Sequence, residues 1–305
     1  MKYSILIVTS SYDKTVDYLQ GKFPEVNFFR FNVDKFSDYK ICASDGGFII
    51  SNKCNSITNS TCASIYYRKP SLEDLKGKIS EEYLYFVFKE VFALVDGIVD
   101  AFEGYCLTRP RVFRYASNKV VQSSIAKKVG FKMARHEITN DSGSDFMSKQ
   151  NRIVKPIAVG RIKRNEHFEF VQTNMVDEKY SVDLLKYCPS YFQAYVEKDY
   201  ECRLTIVGDS FFSVKIESED KIDWRVSDNK ISYSLIDVPK AVLERCYEMM
   251  SVMGIEFGCF DFIIKNEEWF FLEVNVNGQW AWLEFELGLN ISKSIVSKLD
   301  VYKCY

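Results

Sequence analysis

The sequence has little material for histidine-based catalysis or for zinc binding. Its 305 residues include only two histidines, His136 and His167, and both lie among polar neighbours where we expect surface positions. The nine cysteines are odd in number and show no Cys-x-x-Cys or Cys/His spacing. Zinc sites and disulfide frameworks both depend on regular spacing, so we expect reduced thiols in a cytoplasmic protein.

An excess of one charge and long apolar runs are also missing. The chain has 40 Lys and Arg against 42 Asp and Glu, which disfavours a broad basic face for nucleic acid or membrane lipid. The apolar run at 3–9 is too short for a secretory signal. The most apolar long segment, 81–102, is interrupted by Lys89, Glu90, Asp96 and Asp100 and fits a core helix better than a membrane span. We expect binding to neither nucleic acid nor membranes.

The length favours two or three domains. Residues 1–110 alternate predicted strands and helices, as in an α/β domain. A helix is predicted after Asn118, strands at 152–158 and 191–196, and a hairpin at 201–216. A further helix is predicted at 239–253. Two apolar stripes recur at helical spacing: Val120, Val121, Ile125, Ala126 and Val129 in the first helix, and Val242, Cys246, Met249, Met250 and Met253 in the second.

Three polar side chains interrupt two apolar strands near the C-terminus. Asp261 lies in the strand that begins at Phe257, and Glu273 and Asn275 lie in the next one. Burying such groups is costly unless they have partners, and a hard divalent cation is a common partner for carboxylate and amide oxygens. The pattern therefore suggests a magnesium site beside a nucleotide phosphate tail. A solvated strand face is the alternative.

The strand periodicity makes this idea testable. Glu273 and Asn275 are two residues apart, so they share one face of their strand. Asp261 joins them from the neighbouring strand only if it lies opposite one of them. That pairing requires an odd-length turn or a bulge, which we expect between Ile264 and Trp269.

Two lysines are candidates for phosphate binding. Lys155 interrupts the apolar run Ile153–Ile157, and a lysine that points inward there needs an anion; an outward-pointing lysine is the alternative. Lys119 lies in the first turn of a predicted helix, where the helix dipole disfavours a cation. A bound phosphate would explain that position, and so would simple exposure.

Two acid–arginine pairs and two tryptophans have open interpretations. Glu201 and Arg203 share a strand face, and Asp223 and Arg225 repeat the arrangement; they can grip phosphate or carboxylate, or form cross-strand ion pairs. Trp280 and Trp282 could line a peptide site or belong to the core. Arg68, after an apolar strand, could contact substrate or be an ordinary charge at a loop end.

Taken in order, these segments resemble the ATP-grasp ligases. The ordered set is Lys119, Lys155, 192–196, Glu201-x-Arg203, Asp261 and Glu273-x-Asn275. More narrowly, the chain resembles the graspetide macrocyclases, which make microviridin-like ω-ester and ω-amide peptides. That similarity rests on the segments 66–70, 116–122, 153–157, 193–203, 223–225 and 277–284.

The resemblance implies an α+β architecture of the ATP-grasp type. It places an N-terminal α/β (pre-ATP-grasp) domain at 1–112, a central lid subdomain at 113–195 and a C-terminal antiparallel-sheet catalytic subdomain at 196–305. It also implies a role for each matched residue: Lys119 and Lys155 for the phosphates, Gln193, Tyr195 and Val196 for adenine, Glu201 for ribose, Asp261, Glu273 and Asn275 for magnesium, and Arg203, Arg225 and Asp223 for catalysis.

The implied activity is ATP-dependent macrocyclisation of a ribosomally made precursor peptide with leader and core segments. Side-chain carboxylates would become acyl-phosphates that a Thr or Ser hydroxyl or a Lys amine attacks, with ATP and Mg²⁺ required. A homodimer is the expectation from the family. The alternatives are a carboxylate–amine ligase of other specificity and a non-catalytic binding module. We expect Asp261→Ala and Glu273→Ala to abolish product with little loss of folding.

Overall fold

The protein was examined as a computed structural model. It describes residues 3–144, 146, 151–158, 160–164, 167–171, 173–176, 183–220 and 230–301. Among these residues, no helix combines the length and the apolar character that crossing a bilayer requires.

The N-terminal region is built on a four-stranded sheet with the order β2-β1-β6-β7, in which all neighbouring strands are parallel. Residues Ile5 to Val8 at its centre are buried, as expected of a parallel strand covered on both faces. β3 and β4 form an antiparallel hairpin around Asp45-Gly46. The elements are β1 (Ser4–Thr9), α1 (Lys14–Lys22), β2 (Phe28–Asn32), β3 (Lys40–Ser44), β4 (Gly47–Ser51), β5 (Ser56–Thr58), β6 (Cys62–Tyr67), α2 (Glu81–Ala101) and β7 (Tyr105–Leu107).

Two helices follow, α3 (Pro110–Ala116) and α4 (Lys119–Lys128). Asn118 caps α4 by accepting hydrogen bonds from the backbone N–H groups of Val120 and Val121. Ile125 and Ala126 are buried as predicted, but Val120 is 55% exposed and the buried residue of the first turn is Gln122. The prediction that Val120 belongs to the buried apolar stripe was therefore wrong. At this place α4 packs beside the strand that contains Val274, whose peptide groups need a polar partner.

The central region contains a four-stranded sheet with the order β12-β9-β13-β8 and a separate hairpin of β10 and β11. The predicted strand at 152–158 ends at Lys155, because Pro156 has no N–H to donate to a neighbouring strand. The strand predicted at 191–196 ends at Ala194. The elements are β8 (His136–Thr139), β9 (Arg152–Lys155), β10 (Arg161–Arg164), β11 (His167–Phe170), β12 (Asn174–Met175) and β13 (Ser190–Ala194).

The C-terminal region is an antiparallel sheet with the order β16-β15-β14-β17-β18. One face packs against α3, α4 and α5, and the predicted stripe of α5 is buried there in full. Gly254 ends α5 in the left-handed conformation with φ 68°, which is common at helix C-termini. The elements are β14 (Tyr200–Val207), β15 (Ser210–Ser218), β16 (Ile231–Leu235), α5 (Lys240–Met253), β17 (Phe257–Lys265) and β18 (Glu268–Asn275).

The last helices, α6 (Ala281–Leu287) and α7 (Ile291–Leu299), lie between the N-terminal and C-terminal sheets. One apolar cluster joins Ile5, Ile7 and Tyr66 of the N-terminal sheet with Phe257 and Trp280 of the C-terminal region. The two sheets thus share a core. The structure agrees with the predicted α+β class: a parallel N-terminal sheet, a small central sheet and an antiparallel C-terminal sheet.

Candidate active site

One face of the C-terminal sheet carries the predicted polar residues together. Strand alternation and pairing place Glu201, Arg203, Asp261, Glu273 and Asn275 on the same side of β14, β17 and β18, which we call the site face. Arg203 lies directly opposite Asp261 on one side, and Glu273 lies directly opposite Asp261 on the other. The convergence predicted for Asp261, Glu273 and Asn275 is therefore present.

The pairing depends on a β-bulge. The turn at Asn266-Glu267 has two residues, so Phe262 pairs with Phe271, yet Asp261 pairs with Glu273. The extra residue is Leu272. Of the two predicted possibilities, an odd-length turn or a bulge, the structure has a bulge. The expected position between Ile264 and Trp269 was wrong, because the bulge lies beyond Trp269, next to the polar residues, where bulges commonly adjust side-chain direction.

The side chain of Gln122 completes the hydrogen bonding of this irregular edge strand. Its Nε2 donates to the carbonyl of Val274 at 2.8 Å, and its Oε1 accepts from the N–H of Val274 at 3.1 Å. Val274 lies between Glu273 and Asn275. Gln122 therefore takes the place of a further strand and fixes the backbone that carries two of the candidate metal ligands. The sequence offered no local signal for this role.

The three candidate ligands contact one another. Asn275 Nδ2 donates to Asp261 Oδ2 at 3.0 Å and to Glu273 Oε1 at 3.2 Å. Two carboxylates and one amide are the oxygen donors that a hard divalent cation prefers, and a half-turn of the amide exchanges its nitrogen and oxygen. The residues fit a magnesium ion. Among the described residues there is no group of three or more His, Cys, Asp or Glu placed to hold a metal ion.

Two cationic side chains, Arg203 and Lys119, lie beside the carboxylates of Asp261 and Glu273. Arg203 Nη1 lies 2.5 and 2.6 Å from the two carboxylate oxygens of Asp261, and both side chains are buried. Burial alone would lower the pKa of the Arg203 guanidinium, but the charge of Asp261 raises it above its usual value. Lys119 Nζ lies 3.4 Å from Glu273 Oε2 and donates to the carbonyl of Pro156 at 2.8 Å. Lys119 thus joins the central region to the site face.

Lys155 lies in the central sheet beside aromatic and polar partners. Its ammonium donates to Gln193 Oε1 at 2.9 Å and lies 4.4 Å from the centre of the Tyr191 ring. Burial and, to a smaller extent, the negative charge of Glu273 raise the pKa of the Tyr191 hydroxyl to about 12, although a hydrogen bond with Ser123 acts in the opposite direction. Tyr191 therefore lies within electrostatic reach of Glu273, which brings the Lys155 strand towards the site face. His136, expected at the surface, is half-buried and stacks on Tyr191.

The segment after β13 connects the central and C-terminal regions. Gln193 is buried, and the N–H of Tyr195 donates to the carbonyl of Asn151 at 2.8 Å, while Val196 lies beyond the end of the strand. Glu201 is also buried and pairs with Lys198, another buried side chain. Lys198 was missed from the sequence, where it looked like one charge among several in a polar loop.

The other open interpretations have mixed outcomes. Asp223 and Arg225 lie outside the described residues. Trp280 is fully buried in the core shared by the two sheets, and Trp282 packs against Tyr233. Arg68 is also fully buried, so its interpretation as a loop-end charge was wrong.

The sequence matches no protein-family model and no curated protein. Solved structures do match over nearly the full length. A RiPP-associated ATP-grasp ligase from Chryseobacterium gregarium, in complex with ADP and a leader and core peptide, is 25% identical with a TM-score of 0.87, covering 97% of this chain and 96% of that one.

Macrocyclase MdnB from Microcystis aeruginosa MRC is 26% identical with a TM-score of 0.82, covering 98% of this chain and 99% of the other. ATP-grasp ligase PsnB, in a complex with a phosphomimetic variant of its minimal precursor, Mg and ADP, is 17% identical with a TM-score of 0.79, covering 98% and 99%. The similarity therefore extends across all three regions of the chain.

Proposed function

We propose that this chain, which has the ATP-grasp fold and resembles the RiPP ATP-grasp ligases, is an ATP-dependent macrocyclase of a ribosomally made precursor peptide. It would phosphorylate Asp or Glu side chains of the peptide and join them to Thr or Ser as esters, or to Lys as amides, with release of ADP and phosphate. The observation that carries the proposal is the convergence of Asp261, Glu273 and Asn275 on one sheet face with Lys119 beside them.

Each region of the chain has a part in the proposed site. Asp261, Glu273 and Asn275 would hold Mg²⁺, and Lys119 and Lys155 would hold the nucleotide phosphates. The segment with Gln193, Tyr195 and Val196 would border adenine, and Glu201, held by Lys198, would bind ribose. Arg203 is the described member of the proposed catalytic set, which also includes Asp223 and Arg225.

Bound MgATP supplies the phosphoryl group that turns an unreactive carboxylate into a good electrophile. The chain's own residues bind the nucleotide and the peptide and orient them for the reaction. Arg203 and Lys119 lie beside Asp261 and Glu273. Positive charge there would stabilise anionic oxygens in a site with little water. Holding both peptide side chains together would provide much of the rate. The peptide supplies the attacking hydroxyl or amine.

We also propose the organisation that accompanies this activity. The domains would be 1–112, 113–195 and 196–305, the compartment the cytoplasm, and the assembly a homodimer. The substrate would have a leader segment that docks on the enzyme and a core segment that is cyclised. Light scattering of the purified protein tests the dimer, since a monomer mass at micromolar concentration would contradict it.

The test of function uses the full-length enzyme with ATP, Mg²⁺ and a precursor peptide encoded by a short reading frame beside the gene. Mass spectrometry should show loss of one water per ring, matched by ADP release, and Glu273→Gln should show neither. A peptide that gains an amino acid instead would support the alternative carboxylate–amine ligase. ATP turnover without any change in the peptide would contradict both.

A further inference from the structure

Arg68 follows β6 directly, and its guanidinium lies at the boundary between the N-terminal and C-terminal regions. The side chain is fully buried. Its charge is paired on the N-terminal side, where Nε lies 3.3 Å from Oδ2 of Asp13, the residue that caps α1. Nη2 also donates to Oγ1 of Thr15, in the first turn of α1, at 3.1 Å. The N-terminal region therefore holds one edge of the guanidinium and directs its other donors across the boundary.

Across the boundary, Arg68 binds the loop that follows β18. Nη1 donates to Asn277 Oδ1 at 3.2 Å and to the carbonyl of Gly278 at 3.4 Å. Nη2 donates to Gln279 Oε1 at 2.5 Å. Asn277 Nδ2 donates back to the carbonyl of Tyr67, the last residue of β6, at 3.3 Å. The end of β6 and Arg68 thus hold three consecutive residues of this loop.

This loop begins immediately after Asn275, a candidate metal ligand and the last residue of β18. Asn275 pairs with Cys259 at the end of the ladder, so its position depends on the residues that follow it as well as on the strand. The N–H of Gly278 donates to the carbonyl of Asn275 at 3.1 Å. A Cβ on Gly278 would lie 3.2 Å from the Asn275 Cβ and 2.7 Å from the Cys259 sulfur, so the turn packs closely on the ligand. A shift of the loop would therefore shift Asn275.

The strand is fixed on the other side of Asn275 by Gln122, which binds the N–H and the carbonyl of Val274. Asn275 thus lies between a residue held by α4 and a loop held by Arg68. A fully buried arginine is costly unless its charge and its donors are satisfied, and apolar side chains can join two regions without that cost, as they do around Trp280. What the guanidinium adds is direction, because its planar fork fixes the angle of each acceptor.

We propose that Arg68 is a positioning residue for the candidate Mg²⁺ site. By holding the loop at 277–279, it keeps the amide of Asn275 in place. That amide nitrogen lies 3.0 Å from Asp261 Oδ2 and 3.2 Å from Glu273 Oε1, so a small displacement separates the three donors. The inference rests on the proposed function and adds to the metal site a residue of the N-terminal region. Loss of a group that orients a metal ligand typically lowers metal affinity by about tenfold to a hundredfold.

Two substitutions disturb the contact without leaving a buried charge unpaired. Arg68→Lys keeps a positive charge in place but lacks the fork that reaches several acceptors. Gln279→Ala removes one acceptor, and the fold should tolerate this change because Gln279 is exposed. Arg109→Lys is the matched control, since Arg109 makes comparable bonds to the carbonyls of Val99 and Gly104, within the N-terminal region.

The experiment measures binding of Mn²⁺, as the probe ion, to the full-length enzyme with ADP, from the electron paramagnetic resonance signal of free Mn²⁺. The dissociation constant for Mn²⁺ should rise by about tenfold or more in Arg68→Lys. In Gln279→Ala it should rise by about threefold to tenfold, as expected for one hydrogen bond. Arg109→Lys should stay within about twofold of the wild type, whatever its melting temperature. Raising the Mg²⁺ concentration should restore peptide dehydration in Arg68→Lys towards the wild-type rate.

Wild-type Mn²⁺ affinity in Arg68→Lys and Gln279→Ala, or equal weakening in Arg109→Lys, would overturn the role of Arg68. A dehydration defect that saturating Mg²⁺ leaves unchanged would do the same. If Arg68→Lys does not fold, Gln279→Ala decides alone. The proposed function fails separately, through absence of peptide dehydration by a wild-type enzyme that binds Mn²⁺. Failure of the wild type to bind Mn²⁺ with ADP would overturn the metal site and the role of Arg68 together.

Discussion

Asp261 on β17 lies directly opposite Glu273 on β18, although the neighbouring pair is Phe262 with Phe271. The extra residue, Leu272, lets Phe271 and Val274 both point into the core while Glu273 and Asn275 remain on the site face. In a regular ladder with Leu272 retained, Glu273 would turn into the core. With Leu272 in the chain, the candidate metal residues therefore converge only because the bulge takes up this extra residue.

Two deletions test the register. Deleting Leu272 leaves a regular hairpin in which Asp261 still faces Glu273, so we expect a folded protein that loses no more than about 1.5 kcal/mol. Deleting Val274 places Asn275 opposite Phe260, in the core, and should cost at least about 3 kcal/mol. Thermal unfolding of both variants checks this prediction. Equal stabilities would contradict the register.

The two candidate carboxylate ligands should respond differently to substitution. Glu273 is partly exposed, so Glu273→Gln should preserve the melting temperature while product formation falls by on the order of a hundredfold or more. Asp261→Ala leaves the buried Arg203 charge unpaired and should cost about 3–5 kcal/mol. The structure therefore changes the expectation, made from the sequence, that Asp261→Ala would spare folding.

Asp261→Asn keeps the shape of the side chain and separates metal binding from folding. We expect loss of product with a smaller loss of stability than in Asp261→Ala. Denaturant unfolding and peptide dehydration, measured on the same preparations, give the comparison. Near-normal turnover in Asp261→Asn or Glu273→Gln would argue against the metal assignment.

Lys155 should act on nucleotide binding. Lys155→Ala removes the ammonium that lies against Tyr191 and Gln193, and we expect the KM for ATP to rise by about tenfold or more. Exposed Lys186, near the same sheet, is the matched control, and Lys186→Ala should leave the KM unchanged. Steady-state ADP release over a range of ATP concentrations measures both. An unaltered ATP requirement in Lys155→Ala would remove this residue from the site.

Glu284 should make stability depend on acid pH. Burial alone would raise the pKa of Glu284, but hydrogen bonds from Lys22, Ser292 and Tyr18 outweigh burial and hold it below its usual value of 4.5. A group whose pKa is lowered by folding stabilises the protein above its unfolded pKa and loses that effect as the pH falls through the folded value.

Glu284→Gln should cost about 1–3 kcal/mol at pH 7, and the difference from wild type should shrink as the pH falls below the usual value of 4.5 and through the lowered pKa of the folded state. Urea unfolding at several pH values measures it, with exposed Glu286→Gln as control. Parallel stability profiles for wild type and Glu284→Gln would show that these hydrogen bonds do not favour the ionised carboxylate.

Local patterns predicted much of the fold. The stripe from Val242 to Met253 is buried because helical spacing alone decides which face of α5 meets the sheet. The shared face of Glu273 and Asn275 follows from strand alternation in the same way. Residue spacing predicted an odd-length turn or a bulge but did not decide between them. It also did not give the position, because one extra residue anywhere between Asp261 and Glu273 brings these two residues opposite each other.

Roles that depend on distant partners were not predictable. Arg68 is buried because three residues more than two hundred positions away accept its hydrogen bonds, and Gln122 replaces a strand edge that only tertiary packing brings near. Lys198 is buried with Glu201, although the sequence around it is polar. Helical periodicity predicted that Val120 rather than Gln122 would be buried, because periodicity contains no information about a distant edge strand whose peptide groups need a partner.

Isotope transfer between the peptide and phosphate tests the central claim most directly. The precursor peptide, with heavy oxygen in its Asp and Glu carboxylates, is incubated with the enzyme, ATP and Mg²⁺, and the released phosphate is analysed by mass spectrometry. If the site activates carboxylates as acyl-phosphates, one labelled oxygen should appear in phosphate for each water lost from the peptide. Ring formation with unlabelled phosphate, or labelled phosphate formed equally well by Glu273→Gln, would contradict the account.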